Sequence, residues 1–275
     1  MKQLLILILL CTIIKVDVQG QQKLTKIWET DSVIATPESV LPDLQKKILY
    51  VSLIDGAPWD ADGKGGIAVL NMKGEIVNPY WVKGLGAPKG LGLYGNKLYA
   101  ADITKVVIIN VESGKIEQRL SIEGAKRLND VTIDSKGTVY VSDSETGKVY
   151  KIENGKSSLH LSGFAGLNGL KAVGDDLLVL AGQVLYKVYP NRKLAKIASG
   201  FELGGDGIEP VKDGGYIVSC WGGLVYYVSR AGKLQLLMDS RDQKINTADI
   251  GYNPDGNIIY IPTFFKKSVA AYSLR

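Results

Sequence analysis

The chain of 275 residues has a single histidine, and this scarcity excludes whole classes of catalytic site. One histidine cannot form a histidine pair, and His160 lies in a short segment typical of an outer surface strand. The sequence also lacks a Gly-x-Ser-x-Gly motif and a cluster of cysteines and histidines. A serine-hydrolase nucleophile elbow and a cysteine-rich zinc site are therefore excluded.

Charge of one sign is not concentrated anywhere along the chain. The formal net charge is only +5, and the basic residues are dispersed. Nucleic-acid-binding surfaces usually show a clustered basic stripe, so no nucleic-acid partner is expected. The segment from Gly90 to Gly95 fits the dinucleotide pattern Gly-x-Gly-x-x-Gly, but no strand-loop-helix context surrounds it. Because Gly95-Asn96 is typical of a hairpin turn, no nucleotide is expected either.

No apolar run is long enough for a comfortable membrane span. The longest, Leu4 to Ile14, follows Lys2 and precedes small or modest residues at Val18-Gln19-Gly20. This pattern predicts a signal peptide over residues 1–20, cleaved near Gly20, and a mature protein that is exported to the periplasm or secreted. The mature form is expected to have no transmembrane span.

The predicted cleavage near Gly20 would remove one of the two cysteines from the mature protein. Cys11 lies in the leader, without the small residue before it that a lipoprotein site needs, and Cys220 remains alone in the mature chain. An intrachain disulfide is therefore excluded, and Cys220 is expected to be a small buried apolar residue. Residues 21–275 suffice for one large domain.

A repeat organises that domain. Six segments, spaced about 38 to 51 residues apart, open with a polar residue, a small or polar residue and an aliphatic one. Each opening precedes a turn and a β-rich run, and no long amphipathic helix pattern intervenes. The pattern predicts an all-β, six-bladed β-propeller with four-stranded antiparallel blades. The openings are Glu38-Ser39-Val40, Lys89-Gly90-Leu91, Asn129-Asp130-Val131, Asn168-Gly169-Leu170, Asp206-Gly207-Ile208 and Ala248-Asp249-Ile250.

The last repeat has room for about three strands before the chain ends, which leaves an open sheet edge. The segment from Leu24 to Glu29 alternates apolar and polar residues and precedes the first opening. We expect it to pair with Ser268 to Leu274 and close the ring. A loose mature N-terminus is the alternative.

The opening residues are predicted to surround the central channel at one mouth. Carboxylates and amide oxygens that converge in a dry channel are costly unless a charge compensates them. Hard divalent cations prefer such oxygen ligands. Asn-Gly and Asp-Gly are also common hairpin turns, so a purely structural interpretation stays open. The predicted ring consists of Glu38, Lys89, Asn129, Asn168, Asp206 and Ala248, with Asp249 beside the last.

Several of these motifs occur in the order of a known family. They are Glu38 at the first opening, Arg127-Leu128-Asn129-Asp130, Asn168-Gly169-Leu170, and Asp206-Gly207 with Trp221-Gly222-Gly223 downstream. In this order the chain resembles the SMP-30/gluconolactonase/LRE-like superfamily of six-bladed propellers, which shares features with paraoxonase-like and NHL-type proteins. The resemblance covers nearly all of residues 24–275.

The resemblance implies a divalent-cation site and a hydrolase of lactones or other esters. It makes Glu38, Asn168 and Asp206 the metal ligands, with Asn129 lining the pocket and Arg127 holding a substrate oxygen. The cation is expected to be Ca²⁺, with Mg²⁺, Mn²⁺ and Zn²⁺ as alternatives. It would polarise the substrate carbonyl, while Asp206 or a metal-bound water supplies the base and the nucleophile.

The sequence departs from the family in its first loop, because Ser39-Val40 follows Glu38 where gluconolactonases commonly have glycine and proline. Non-catalytic binding of a small-molecule ligand or a protein is therefore the alternative function. An aromatic rim of Trp59, Tyr80, Trp81 and Trp221 would serve it, although blade packing is favoured for Tyr80 and Trp81. The Gly-rich segment from Asp60 to Gly66 is expected to be an inserted loop over the channel mouth.

Overall fold

Six four-stranded antiparallel sheets surround a central channel in the computed structural model, which describes residues 21–32 and 34–275. The predicted six-bladed β-propeller is thereby confirmed. Residues 1–20, the predicted signal peptide, lie outside the described residues. Within the described ranges, helical structure is confined to two 3₁₀ turns, Arg241–Gln243 and Phe264–Lys266, and no helix there is long and apolar enough to cross a membrane.

The strands follow one another from the channel outward, except that β1 (Leu24–Glu29) belongs to the last blade. Blades 1 and 2 contain β2 (Pro37–Asp43), β3 (Ile48–Leu53), β4 (Gly65–Asn71), β5 (Ile76–Leu85), β6 (Pro88–Tyr94), β7 (Lys97–Asp102), β8 (Lys105–Asn110) and β9 (Ile116–Ser121). Blades 3 and 4 contain β10 (Leu128–Ile133), β11 (Val139–Asp143), β12 (Lys148–Glu153), β13 (Lys156–Ser162), β14 (Leu167–Val173), β15 (Asp176–Ala181), β16 (Val184–Val188) and β17 (Leu194–Ser199). Blades 5 and 6 contain β18 (Ile208–Pro210), β19 (Tyr216–Cys220), β20 (Leu224–Val228), β21 (Leu234–Asp239), β22 (Gly251–Asn253), β23 (Ile258–Pro262) and β24 (Val269–Leu274).

Each pair of neighbouring blades encloses an apolar core of its own. Along β23, Tyr260 packs in the core shared with blade 1, whereas Ile259 and Ile261 pack in the core shared with blade 5. Alternation along one strand thus fills two cores. Cys220 lies between blades 4 and 5 as a free, fully buried residue, as predicted, and burial raises the pKa of its thiol to about 12.

The first strand closes the ring, as the sequence predicts. β1 pairs antiparallel with β24, from Leu24 opposite Leu274 to Glu29 opposite Ala270. The backbones of Lys23 and Arg275 exchange two further hydrogen bonds, at 2.7 and 3.0 Å. The last blade therefore has four strands and no open edge on β24.

The glycine-rich segment of blade 2 is part of a hairpin. Gly95 and Asn96 form the turn between β6 and β7, and Gly90 and Gly92 lie within β6 itself. The chain therefore has no phosphate-binding loop at this motif, since such a loop joins a strand to a helix N-terminus.

Glu29, the last residue of β1, joins the closing strand to the loop between β23 and β24. Its carboxylate accepts hydrogen bonds from Lys26 at 2.8 Å and Ser268 at 2.7 Å, and it pairs with Lys266 at 2.5 Å. Burial alone would raise the pKa of this carboxyl, but the three partners outweigh burial and lower the pKa to about 2. The ionised carboxylate therefore stabilises the closed ring.

We expect Glu29→Gln to lower the free energy of unfolding at neutral pH by about 1–3 kcal/mol, the usual contribution of hydrogen bonds to a charged group. The pKa of about 2 lies below the ordinary value of 4.5, so the carboxylate stabilises the fold above pH 4.5 and this contribution is lost as the pH falls toward 2. Denaturant unfolding between pH 2 and 7 should show a smaller acid-induced loss of stability in the variant.

The matched control is Glu112→Gln, which removes an exposed ion pair with Lys46. This variant should change stability by less than about 1 kcal/mol, because exposed ion pairs contribute little. Equal effects of the two substitutions would contradict a special role for Glu29 in ring closure.

Candidate functional site at the channel mouth

The innermost strands of the first four blades carry a β-bulge at the opening signature. In blade 1 the register shifts between Pro37 and Val40, so that Glu38 and Ser39 together oppose Ser52 of β3. The same shift occurs in β6, β10 and β14. A bulge changes the direction of a side chain, and here it lets two consecutive residues face the channel.

Buried serines of the second strands fix three of the opening signatures. Each hydroxyl accepts a hydrogen bond of 2.9 Å from a backbone N–H of the innermost strand, which satisfies an amide that the ladder leaves free. Sequence reasoning assigned no role to these residues, although a repeated Val-Ser pair ends the runs in blades 1, 3 and 5. The pairs are Ser39 with Ser52, Asp130 with Ser142, and Gly207 with Ser219.

Three of the mouth residues form a buried polar cluster with two unsatisfied oxygens. Asn168 Nδ2 donates a hydrogen bond to Asp206 Oδ1 at 2.5 Å. Glu38 and Asp206 are each only 4% exposed, yet Glu38 Oε2 and Asp206 Oδ2 accept no hydrogen bond from the described residues. Buried polar atoms without a partner are rare and costly, so these oxygens indicate a place for a ligand.

Lys89 supplies the positive charge within this cluster. It is 3% exposed, and its ammonium group lies 4.3 Å from the centroid of the Trp59 ring. Burial lowers the pKa of Lys89, whereas the negative charges of Glu38 and Asp206 oppose that effect. The ammonium is therefore held by the field of nearby carboxylates and by the face of the Trp59 ring.

Burial makes the carboxyl groups of the mouth harder to ionise, and Lys89 offsets only part of this effect. Burial is the largest cause of the raised pKa of Asp206, and the charge of Asp249 adds to it. Lys89 and the hydrogen bond from Asn168 offset only part of this effect, so that the pKa is about 7. Burial, with Asp206 and Asp249, likewise raises the pKa of Glu38 well above its usual range.

A second polar layer lies one residue deeper in the channel. Asp249 accepts a hydrogen bond from Ser39 Oγ at 2.6 Å, and Asp130 accepts two backbone N–H groups. Below them, Lys171 pairs with Glu209 at 2.7 Å, and these side chains line a cavity of about 20 Å³, enough for one water molecule. Carboxyl groups outnumber ammonium groups in the channel, so a bound cation would stabilise their ionised forms.

In blades 4 and 5 a glycine follows the mouth residue, and at each of these glycines the next blade lies too close for a Cβ atom. A Cβ atom on Gly169 would lie 2.2 Å from the carbonyl oxygen of Asp206, and one on Gly207 would lie 2.5 Å from Asp249 Oδ1. Asn168 and Gly169 lie within β14 and form no hairpin turn. The hairpin interpretation is therefore wrong for this pair, and the glycine serves close packing instead.

The loop of residues 54–64 between β3 and β4 carries Trp59 over one side of the mouth. Lys89 Nζ lies 4.3 Å, and Arg127 Cζ 5.4 Å, from the centroid of the Trp59 ring. Arg127 is half-exposed and pairs with Glu145 at 3.1 Å. Asn129 donates to a serine hydroxyl at 2.9 Å. Both predicted substrate-binding residues thus lie at or beside the mouth.

Of the other residues considered from the sequence, one lies at the mouth and three lie away from it. Trp221 lies in the β19–β20 turn at the mouth and is 43% exposed. Trp81 packs on Tyr50 at a ring distance of 5.1 Å, and Tyr80 lies exposed on the outermost strand of blade 1. His160 lies on the outermost strand of blade 3, as predicted, and takes no part in the mouth.

The predicted metal set contains two carboxylates and one amide. Within residues 21–32 and 34–275, no group of three His, Cys, Asp or Glu side chains is placed to hold a metal ion. A cation at Glu38 and Asp206 would therefore need the amide oxygen of Asn168 as its third side-chain ligand. In the present orientation that amide directs its nitrogen toward Asp206.

Comparison with known proteins supports the fold. No protein-family model matches the chain, and no curated protein matches it in sequence. Among solved structures, it is similar to a catalytically inactive virginiamycin B lyase from Staphylococcus aureus with quinupristin, with a TM-score of 0.62 at 13% identity. The match covers 92% of this chain and 99% of that one. At this identity, the likeness shows the fold alone.

We expect Gly169→Ala to disrupt the mouth. Because its Cβ would collide with the backbone of Asp206, the innermost strands of blades 4 and 5 must separate, at a cost of about 3 kcal/mol in unfolding free energy. Gly155→Ala is the control, since nothing lies within 4 Å of its Cβ and only its left-handed backbone, φ +74°, is penalised, by about 1–2 kcal/mol. Denaturant unfolding compares the two, and an equal loss would contradict the close approach.

Proposed function

We propose that this protein is a divalent-cation-dependent hydrolase of small lactones or esters, related to the SMP-30/gluconolactonase/LRE-like superfamily. The observation that carries the proposal is the pair of buried, unpartnered carboxylate oxygens on Glu38 and Asp206 at the channel mouth. We also propose that residues 1–20 direct export and are removed near Gly20, which N-terminal sequencing of the mature protein tests.

The residues at the mouth fit a divalent cation. Glu38 and Asp206 would hold it through their free oxygens, and a half-turn of the Asn168 amide would add a neutral oxygen ligand. All three ligands are oxygens, which favours Ca²⁺, with Mg²⁺, Mn²⁺ and Zn²⁺ as alternatives. When bound, such a cation supplies polarisation of a substrate carbonyl and stabilisation of the negative charge that develops on it.

The remaining roles belong to side chains of this chain. Asp206 is the proposed base, because its buried carboxyl group lies at the channel mouth and one of its oxygens has no partner among the described residues. The half-exposed guanidinium of Arg127 would hold a substrate oxygen, and Asn129 would line the same pocket. Trp59 covers Lys89 and so limits the access of water to the cluster.

Non-catalytic binding of a polar small molecule is the second candidate function, and Lys89 is the observation that favours it. An ammonium group already lies within the ring, so a ligand with hydroxyl or carboxylate oxygens could bind without a metal. The two candidates differ in a measurable way, because only the first needs a cation and turnover.

The metal site is tested by calorimetric titration of the purified protein with Ca²⁺, Mg²⁺, Mn²⁺ and Zn²⁺. We expect one site, with affinity reduced about 100-fold or more in Asp206→Asn, since the variant loses a charged ligand. Asp249→Asn is the matched control, because it removes the same charge one layer deeper without removing a proposed ligand. Its affinity should fall by about 10-fold or less.

Equal losses in the two variants would show that only the field of the channel matters and would contradict ligation by Asp206. Absence of any cation binding to the wild-type protein would overturn the metal-dependent proposal and favour the binding function.

Catalysis is tested with a panel of lactones and aryl esters, with and without added cation. The wild-type protein should exceed the background of the metal alone, and Asp206→Asn should lower kcat by about 100-fold or more, the usual contribution of a general base. Arg127→Ala should raise KM more than it lowers kcat, because it removes binding made in the ground state as well. His160→Ala, on an outermost strand, should change neither constant.

A protein that binds the cation but turns over no compound of the panel would support the binding function. Turnover that survives thorough chelation would overturn the proposed mechanism instead.

A further inference from the structure

An exposed apolar surface lies on the loops of blades 5 and 6 that adjoin the mouth. It consists of Leu203, Trp221, Phe264 and Phe265, which we call the apolar shelf. Leu203 is 57%, Trp221 43% and Phe265 61% exposed, whereas Phe264 is buried beneath them. Large exposed apolar groups that cluster, rather than occur singly, usually mark a binding surface.

Other large exposed apolar side chains are scattered. Six of them lie on the outermost strands of five blades, away from the mouth, and isolated exposure of this kind is ordinary on a protein surface. These residues are Ile27, Val77, Tyr80, Leu159, Leu194 and Leu236. In the described part of the chain, the shelf is the place where such residues pack on one another beside the channel.

The aromatic rings of the shelf are packed edge to face. Ring centroids lie 5.4 Å apart for Trp221 and Phe264, 5.9 Å for Trp221 and Phe265, and 4.8 Å for Phe264 and Phe265. The side chain of Leu203 lies directly over Gly222, beside Trp221. The shelf therefore has a defined shape before any ligand binds.

Two shelf residues have backbones that bulky side chains rarely adopt. Leu203 has φ +70° and Phe264 has φ +48°, both in the left-handed region. The loop that carries Phe264 is held by Thr263, whose Oγ1 donates to the carbonyl oxygen of Ser268 and accepts its N–H. The fold thus maintains an unfavourable backbone while leaving apolar side chains exposed.

The shelf is continuous with the polar ring. Phe264 packs in one cluster with Ala248, which is the sixth mouth residue, and with Ala87, which precedes Lys89 by two positions. Leu203 lies three residues before Asp206, and Asn246 Nδ2 donates to the carbonyl oxygen of Trp221 at 3.0 Å. The shelf therefore adjoins the ring through the loops that carry Phe264, Leu203 and Trp221.

We propose that the apolar shelf is a subsite for the apolar substituent of the substrate. The inference rests on the proposed function, and it narrows the substrate class to lactones or esters that carry an aromatic ring or an alkyl chain beside the reactive carbonyl. Three exposed side chains are few for a protein partner, since stable protein interfaces bury about 800 Å² on each side. Three adjacent apolar side chains are instead enough to contact one such substituent.

The test measures binding without turnover. The probes are two γ-lactams, which resist hydrolysis, one with a methyl and one with a hexyl substituent, titrated calorimetrically into the wild-type protein. The hexyl lactam should bind about 10-fold or more tightly than the methyl lactam, because burial of each methylene group contributes to affinity. Phe265→Ser and Leu203→Gly should reduce this preference to about 3-fold or less.

Both variants are suited to remain folded. Phe265 is exposed, and glycine accepts the φ of +70° found at Leu203. Tyr80→Ser is the matched control, since Tyr80 is an exposed aromatic residue on an outermost strand, and it should keep the wild-type preference.

An absent preference in the wild-type protein, or one that both shelf variants keep, overturns the proposal. Binding to phosphatidylcholine vesicles that Phe265→Ser abolishes, with the lactam preference unchanged, assigns the shelf to a membrane surface and also overturns it. A shelf-dependent preference in a protein that hydrolyses nothing supports the subsite while the proposed reaction fails.

Discussion

Closure of the ring by β1 is the constraint on which the site depends. Only a closed ring brings blade 1 against blade 6, where Ser39 donates to Asp249 across 210 residues of sequence and the N–H of Asp249 donates to the carbonyl oxygen of Glu38. Pairing of β1 with β24 therefore both removes the open edge of the last blade and assembles the polar layers of the channel. Glu29 extends this dependence to the loop of Phe264, because its carboxylate holds Lys266 and Ser268.

Burial and charge oppose each other throughout the channel. The cores between the blades are apolar, but the innermost strands place Glu38, Asp130, Asp206 and Asp249 where water has little access. Such an arrangement is unfavourable for folding unless a counter-charge is bound. The raised pKa values of these carboxyl groups are the expected result of burial without full compensation. Natural sites often accept a local loss of stability where ligands bind.

The sequence was sufficient for the architecture because repeats and strand alternation are local signals. The spacing of the openings predicted six blades, and the alternation in Leu24 to Glu29 predicted the closing strand. It was insufficient for the site, whose features depend on contacts between blades. The repeat placed Lys89 in the predicted ring with Glu38, but nothing local shows that its ammonium group lies against Trp59, or that Leu203 is exposed with a left-handed backbone. The hairpin alternative for Asn168-Gly169 could be ruled out only from the fold, because the glycine is required by the approach of the next blade.

The bulges allow different residues of one innermost strand to pack in the core and to face the channel. Residues after the bulge, such as Val40 and Leu91, remain in register with the second strand and fill the cores, while Glu38 and Lys89 face the channel without occupying core volume. An exchange of the channel residue in one blade therefore leaves the packing of that blade intact. The four bulged blades therefore hold their channel side chains independently of their cores, and a channel residue in any of them can be exchanged while the scaffold stays unchanged.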